Sequence, residues 1–93
     1  MTRVDKKLDR WIANTPKDVP KREVLSMLER FFPDHYQVKS GSHIVVRDDR
    51  LKGSVDYGPD GDFDIPVKGG QRVKGFYLKK LVQAIRYLEG MEE

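Results

Sequence analysis

From Gly75 to Glu89, Leu78, Leu81, Val82 and Ile85 fall at the i, i+3, i+4 and i+7 spacing of one helix face, and Tyr77, Ala84 and Leu88 widen the stripe. Lys79, Gln83 and Arg86 share the wet side, and Gly90 marks the expected end. So broad an apolar stripe must be buried against another element. Three short runs upstream supply the partner surface. Tyr36 and Val38 alternate with Gln37 and Lys39; Ile44 and Val46 alternate with His43, Val45 and Arg47; Phe63, Ile65 and Val67 alternate with Asp64, Pro66 and Lys68. That period of two belongs to half-buried strands, and Pro66 in the last run marks an edge strand or a pairing gap. A second helix is expected from Pro20 to Phe32, with Val24, Leu25, Leu28, Phe31 and Phe32 as its stripe and Asp18 placed to cap it. The pattern predicts an α+β domain of order α-β-β-β-α, with both helices on one face of a three-stranded antiparallel sheet and the other face open.

Ahead of this unit, Val4, Leu8, Trp11 and Ile12 recur at helical spacing, and Thr15 to Pro20 breaks the chain with two prolines. Residues 1–14 therefore read as an accessory N-terminal helix and 15–90 as the domain. Ninety-three residues suffice for one modest core. The chain has no cysteine and only two histidines, His35 and His43, which excludes thiolate nucleophiles and cysteine-ligated zinc and favours metal-independent chemistry. There is no run of about eighteen apolar residues for a membrane span. The segment Met1 to Arg10 is charged without the apolar stretch of a leader, so a cytosolic protein is expected. Asp60, Asp62 and Asp64 imitate the start of a calcium loop, but Ile65 and Gln71 stand where the glycine and the bidentate glutamate belong.

Charge is unevenly distributed. Asp48 to Asp64 holds six acids against Arg50 and Lys52, in a Gly-rich stretch that reads as a long loop or a ragged hairpin extension. Ile65 to Arg86 holds Lys68, Arg72, Lys74, Lys79, Lys80 and Arg86 and no acid. A segment so one-sided suits a polyanion, of which a phosphate backbone is the commonest; the plainer alternative is a solvated helix face.

Ser40-Gly41-Ser42 is a turn-prone bend that delivers His43 to the first position of the central strand. With Ile44 and Val46 turned to the core, His43 and Arg47 look outward, and Lys39 and Lys68 are expected on the same cationic face. Imidazole titrates near neutrality and can pass a proton to or from an oxygen at cellular pH. A lone histidine here more commonly only closes a strand, so its neighbours must decide. His35 reads as structural or solvent-exposed.

The series Pro16-Lys17-Asp18, an amphipathic helix, Gly41-Ser42-His43, and Ile65-Pro66-Val67-Lys68-Gly69-Gly70-Gln71-Arg72-Val73-Lys74-Gly75 running into Leu78-Lys79-Lys80-Leu81-Val82-Gln83-Ala84-Ile85 resembles the HicA toxin family over roughly Asn14 to Leu88. The resemblance implies a fold like that of double-stranded-RNA-binding domains. It implies an endoribonuclease that cleaves mRNA with the histidine of the Gly-Ser-His element, here His43, and is neutralised by a HicB-type antitoxin. Gly41 and Ser42 carry over as the turn that shapes the site. The chain departs from the family at Ile44, where many members have a second histidine, and in the long acidic connection between strands.

On these grounds His43 is the expected acid or base at an RNA phosphodiester. Lys39, Arg47, Lys68, Arg72 and Lys74 are the expected phosphate contacts, with no cofactor implied. The alternative is a non-catalytic RNA-binding module of the same fold, which needs the cations but not His43. A third reading is a protein-interaction domain in which the acidic loop and first helix bind a partner.

Overall fold

The computed structural model describes residues 3–40, 42–53, 57–58 and 60–92, residues 91 and 92 by their backbone alone. Helix α1 spans Arg3–Ala13, strand β1 Asp18–Pro20, helix α2 Lys21–Phe31, β2 Tyr36–Lys39, β3 His43–Arg47, a 3-10 turn Asp49–Leu51, β4 Asp62–Pro66, β5 Arg72–Lys74 and α3 Gly75–Glu92. The larger sheet is antiparallel in the order β2-β3-β4. The described residues are thus α+β, with three α-helices and a three-stranded antiparallel sheet. No helix among the described residues is long and apolar enough to cross a membrane.

The alternation in β3 does what its sequence requires: Ile44 and Val46 are fully buried, while His43 and Arg47 stay exposed. Phe63 and Ile65 of β4 join them, and Val24, Met27, Leu28 and Phe32 pack in the same core with Leu78, Leu81, Ile85 and Leu88 of α3. Pro66 sits on the edge strand β4, opposite His43, where a missing amide costs no ladder bond. Strand β2 is less buried than its alternation suggests. Val38 is 39% exposed, because β2 is the other edge and overhangs the core. Tyr36 ties it down by donating its hydroxyl to Glu29 Oε2 at 2.7 Å.

Strands β1 and β5 form a second, two-stranded sheet that the sequence pattern does not announce. Each is three residues long with one buried valine, Val19 opposite Val73. Alternation cannot be recognised in so short a run. The pairing explains why Asp18 does not cap α2 as expected. It lies in β1, its carboxylate accepts from Arg72 Nε at 2.7 Å, and Pro20 occupies the cap position with no side-chain bond. The small sheet also ties the starts of both helices. The Lys21 amide donates to the Gln71 carbonyl and the Gly75 amide to the Lys17 carbonyl, each at 2.8 Å. Gly75 is required by that approach, since a Cβ there would meet the Pro16 carbonyl oxygen at 2.3 Å.

The first helix is integral rather than appended. Leu8 and Trp11 are each only 4% exposed and belong to the common core, and α1 packs against both α2 and α3. Lys7 pairs with Glu23 at 2.8 Å and Arg30 with Asp5 at 3.4 Å across the α1–α2 seam. Ile12, counted in the apolar stripe, is 40% exposed.

The start of the acidic stretch extends the β3–β4 hairpin and then folds into the 3-10 turn. Asp48 is buried, and its carboxylate accepts from the Arg50 amide at 2.9 Å and from the Arg50 guanidinium at 2.7 to 3.2 Å. Leu51 then enters the core. The Asp48 amide donates to the Gly61 carbonyl at 3.0 Å, and Gly61 takes φ +72° with its Cα against the Asp48 carbonyl, a place for glycine alone. Asp56, part of the same acidic run, lies outside the described residues.

Candidate functional site

Directly opposed residues of an antiparallel pair share a face, so the register writes out the open side of the larger sheet. Lys39, His43 and Pro66 form one row, Gln37, Val45 and Asp64 the next, and Arg47 and Asp62 the third. His43 stands at the end of this face, exposed, beside an exposed Lys39. The short connection between β2 and β3 presents it. Ser40 takes φ +54°, and the Ser42 amide donates to the Lys39 carbonyl at 3.2 Å. Gly41, the expected turn-shaping residue, lies outside the described residues.

Ser42 Oγ lies 3.2 Å from His43 Nδ1. A hydroxyl can donate or accept, so this contact serves both tautomers. When Nδ1–H donates to Ser42, Nε2 carries the free lone pair of a base; when Ser42 donates to Nδ1, Nε2–H is a donor. Either way the serine restrains the exposed ring through Nδ1 and not through Nε2.

Lys68 belongs with this end of the sheet. The Val67 amide donates to the Ser42 carbonyl at 2.8 Å, which carries the chain beyond β4 past the bend, and Lys68 follows as an exposed residue in an antiparallel bridge with Arg72. Arg72 and Lys74 lie on the separate two-stranded sheet. The Arg72 guanidinium is engaged by the Asp18 carboxylate, so its charge is largely offset, and Lys74 is in register with the same aspartate. The structure therefore brings Lys39, Ser42 and His43 together; Lys68 follows Val67 beyond β4 and is bridged to Arg72, whose guanidinium Asp18 engages, and Lys74 lies on the two-stranded sheet.

The open face is not the uniformly cationic surface expected. Asp62 and Asp64 project from the wet side of β4, because the acids there alternate with the buried Phe63 and Ile65. Arg47 is 3.9 Å from Asp62, a separation at which an exposed pair is only weakly coupled. The positive end of the face is the row that carries His43, and the opposite end is neutralised. A depression beside it is lined by Asp34, His35, Tyr36, Gln37, Lys39, Val45 and Arg47. His35 is partly exposed, with Nε2 3.9 Å from the buried Asp48 carboxylate, in keeping with a structural part.

Asp48 is the titratable group that sequence reasoning passed over. The Arg50 side-chain hydrogen bonds hold its carboxyl below the usual range against the opposing effect of burial, with smaller help from the Arg50 amide and from the charges of Arg50 and His35. An aspartate two residues before an arginine was the only sign of it. Among the described residues no three His, Asp or Glu side chains converge as a metal site requires. No family model, no curated protein and no solved structure matches the chain.

Proposed function

We propose that this protein is a HicA-like toxin, an endoribonuclease that cleaves mRNA in the cytoplasm through His43 and is held inactive by a HicB-type antitoxin. The observation that carries the reading is the row at the end of the open sheet: a solvent-facing imidazole, restrained by Ser42, with Lys39 directly opposite and Lys68 beyond the bend. Apart from α1 and the short β1–β5 pair, the order α2-β2-β3-β4-α3, with buried residues of both helices in one core with the sheet, is compatible with the α-β-β-β-α arrangement of double-stranded-RNA-binding domains that the resemblance implies.

RNA suits such a site because each phosphodiester has a 2′-hydroxyl beside it as an internal nucleophile. His43 Nε2 takes the proton of that hydroxyl, the oxygen attacks phosphorus, and the departing 5′-oxygen is protonated by the imidazolium or by solvent. Lys39 and Lys68 offset charge that grows on the phosphate. One positioned acid–base group contributes about 10²- to 10⁴-fold to the rate. With Ile44 buried at the next position, no second imidazole shares the task.

Inducing the wild-type protein and His43→Ala in bacterial cells, with and without a HicB-type antitoxin, tests the reading. Wild type should arrest growth and fragment transcripts unless the antitoxin is present, and His43→Ala should do neither while accumulating as folded protein. A His43→Ala protein as toxic as wild type would remove the histidine from the chemistry. A non-toxic wild type that still binds RNA through the cations would favour the binding-module alternative.

A further inference from the structure

Among the described residues the most exposed large apolar side chain is Phe76, at 77%. It stands in the first turn of α3 and shares its helix face with Lys79, Lys80, Gln83 and Arg86, at i+3, i+4, i+7 and i+10, and with the half-buried Tyr87 at i+11. Phe76, Lys79, Gln83 and Arg86 are exposed, Lys80 is half-buried, and no acid interrupts the stripe. Among the described residues none of the three cations is ion-paired. The Tyr77 ring stands perpendicular to that of Phe76, with centroids 5.2 Å apart, which restrains the phenyl ring while leaving most of it in water. Nothing in the packing of α3 calls for a phenylalanine here; the core needs Leu78, Leu81, Val82 and Ile85.

We propose that the outer face of α3 binds single-stranded RNA, with an unpaired base stacked on Phe76 and the adjoining phosphates on Lys79, Lys80 and Arg86. The choice of RNA rests on the ribonuclease reading. The chemistry of the stripe carries the rest. A lysine-rich stripe without acids fits a phosphate backbone better than a protein partner, since lysine is depleted from protein interfaces. An exposed aromatic among cations is what proteins present to single strands, because every unpaired base offers a face for stacking. In an A-form duplex the bases are already stacked and proteins read phosphates and 2′-hydroxyls, so the ring would have no partner. A path of paired backbone joins this face to the histidine: Arg72, four residues before Phe76, bridges Lys68, and Val67 is bonded to Ser42. The substrate would therefore be unpaired stretches of mRNA.

The test uses the full-length protein and a fluorescently labelled 2′-O-methyl oligoribonucleotide, whose blocked 2′-oxygen prevents cleavage by internal attack, as a single strand and as a duplex. Phe76→Ala should weaken binding of the single strand by about 5- to 100-fold, the range expected for one lost base-stacking contact. Phe76→Trp should restore it, and the duplex should bind both variants as it binds wild type. Equal affinity of wild type and Phe76→Ala for the single strand would overturn the proposal, also if that variant lost self-association or a protein partner instead. So would equal losses on single strand and duplex, or a wild type that binds neither. A chain that shows the Phe76 dependence but does not cut unmodified RNA would sink the nuclease reading alone; a nuclease indifferent to Phe76 would sink only this one.

Discussion

On the proposed reading a single imidazole does the acid–base work on the open sheet face, and one neighbour, Ser42, restrains it. The second residue whose chemistry can be isolated is Asp48, far more buried than any other charged side chain described. Its carboxyl is held below the ordinary value of about 3.9 chiefly by the Arg50 hydrogen bonds. The unfolded chain therefore takes up this proton more readily than the folded one. The stability Asp48 contributes is complete above the ordinary carboxyl value and is lost as pH falls through the lower folded value. Thermal melts between pH 7 and pH 2 should show Asp48→Asn destabilised by about 1–3 kcal/mol near neutrality, the cost of a lost charge-assisted bond at a buried group. The gap to wild type should narrow in acid. A constant gap across the whole range would mean that the carboxylate's charge contributes nothing.

At the scale of elements, α1 is the part whose role changes most between sequence and structure. Its stripe marked a helix but not its destination, because Trp11 and Leu8 would look the same on a helix docked to a partner as on one docked to its own domain. In the fold they close the core against α2 and α3. Trp11→Ala should cost about 3–5 kcal/mol, the usual range for emptying a buried aromatic site, and lower the melting temperature accordingly. A loss below 1 kcal/mol would return α1 to the status of an appendage. The three longer strands and both later helices were legible because each repeats its pattern over at least two turns or two pleats. The pair β1–β5 was not, since three residues with one valine each carry no period. Neither was the Asp48–Leu51 turn, whose cap is local but whose leucine is buried by contacts distant in sequence. At the site, the outward turn of His43, Lys39 and Arg47 followed from the alternation in β2 and β3. That Asp18 would engage Arg72, and that Asp62 would face Arg47, depended on strand register, which composition does not encode.

Taken as a whole, the molecule separates its charges more finely than its linear sequence. The positive row with His43 lies at one end of the open face, Asp62 and Asp64 neutralise the remainder, and Arg72 is already matched by Asp18. Phosphate contacts should therefore depend on Lys68 more than on Arg72. Lys68→Ala should reduce the slope of log affinity against log salt for single-stranded RNA by about 0.7, the value of one released counterion, and Arg72→Ala should change it less. Equal slopes for wild type and Lys68→Ala would exclude Lys68 from the RNA contact.

The most direct measurement is cleavage of a defined RNA by the purified protein in the presence of a chelator, comparing wild type with His43→Ala at matched folded concentration, on the normal strand and on one with 2′-deoxyribose throughout. Wild type should cut only the strand with 2′-hydroxyls, and His43→Ala should cut neither, with a rate at least about 10²-fold lower. Cleavage by His43→Ala at the wild-type rate, or no cleavage by either protein, would contradict a nuclease built on this histidine.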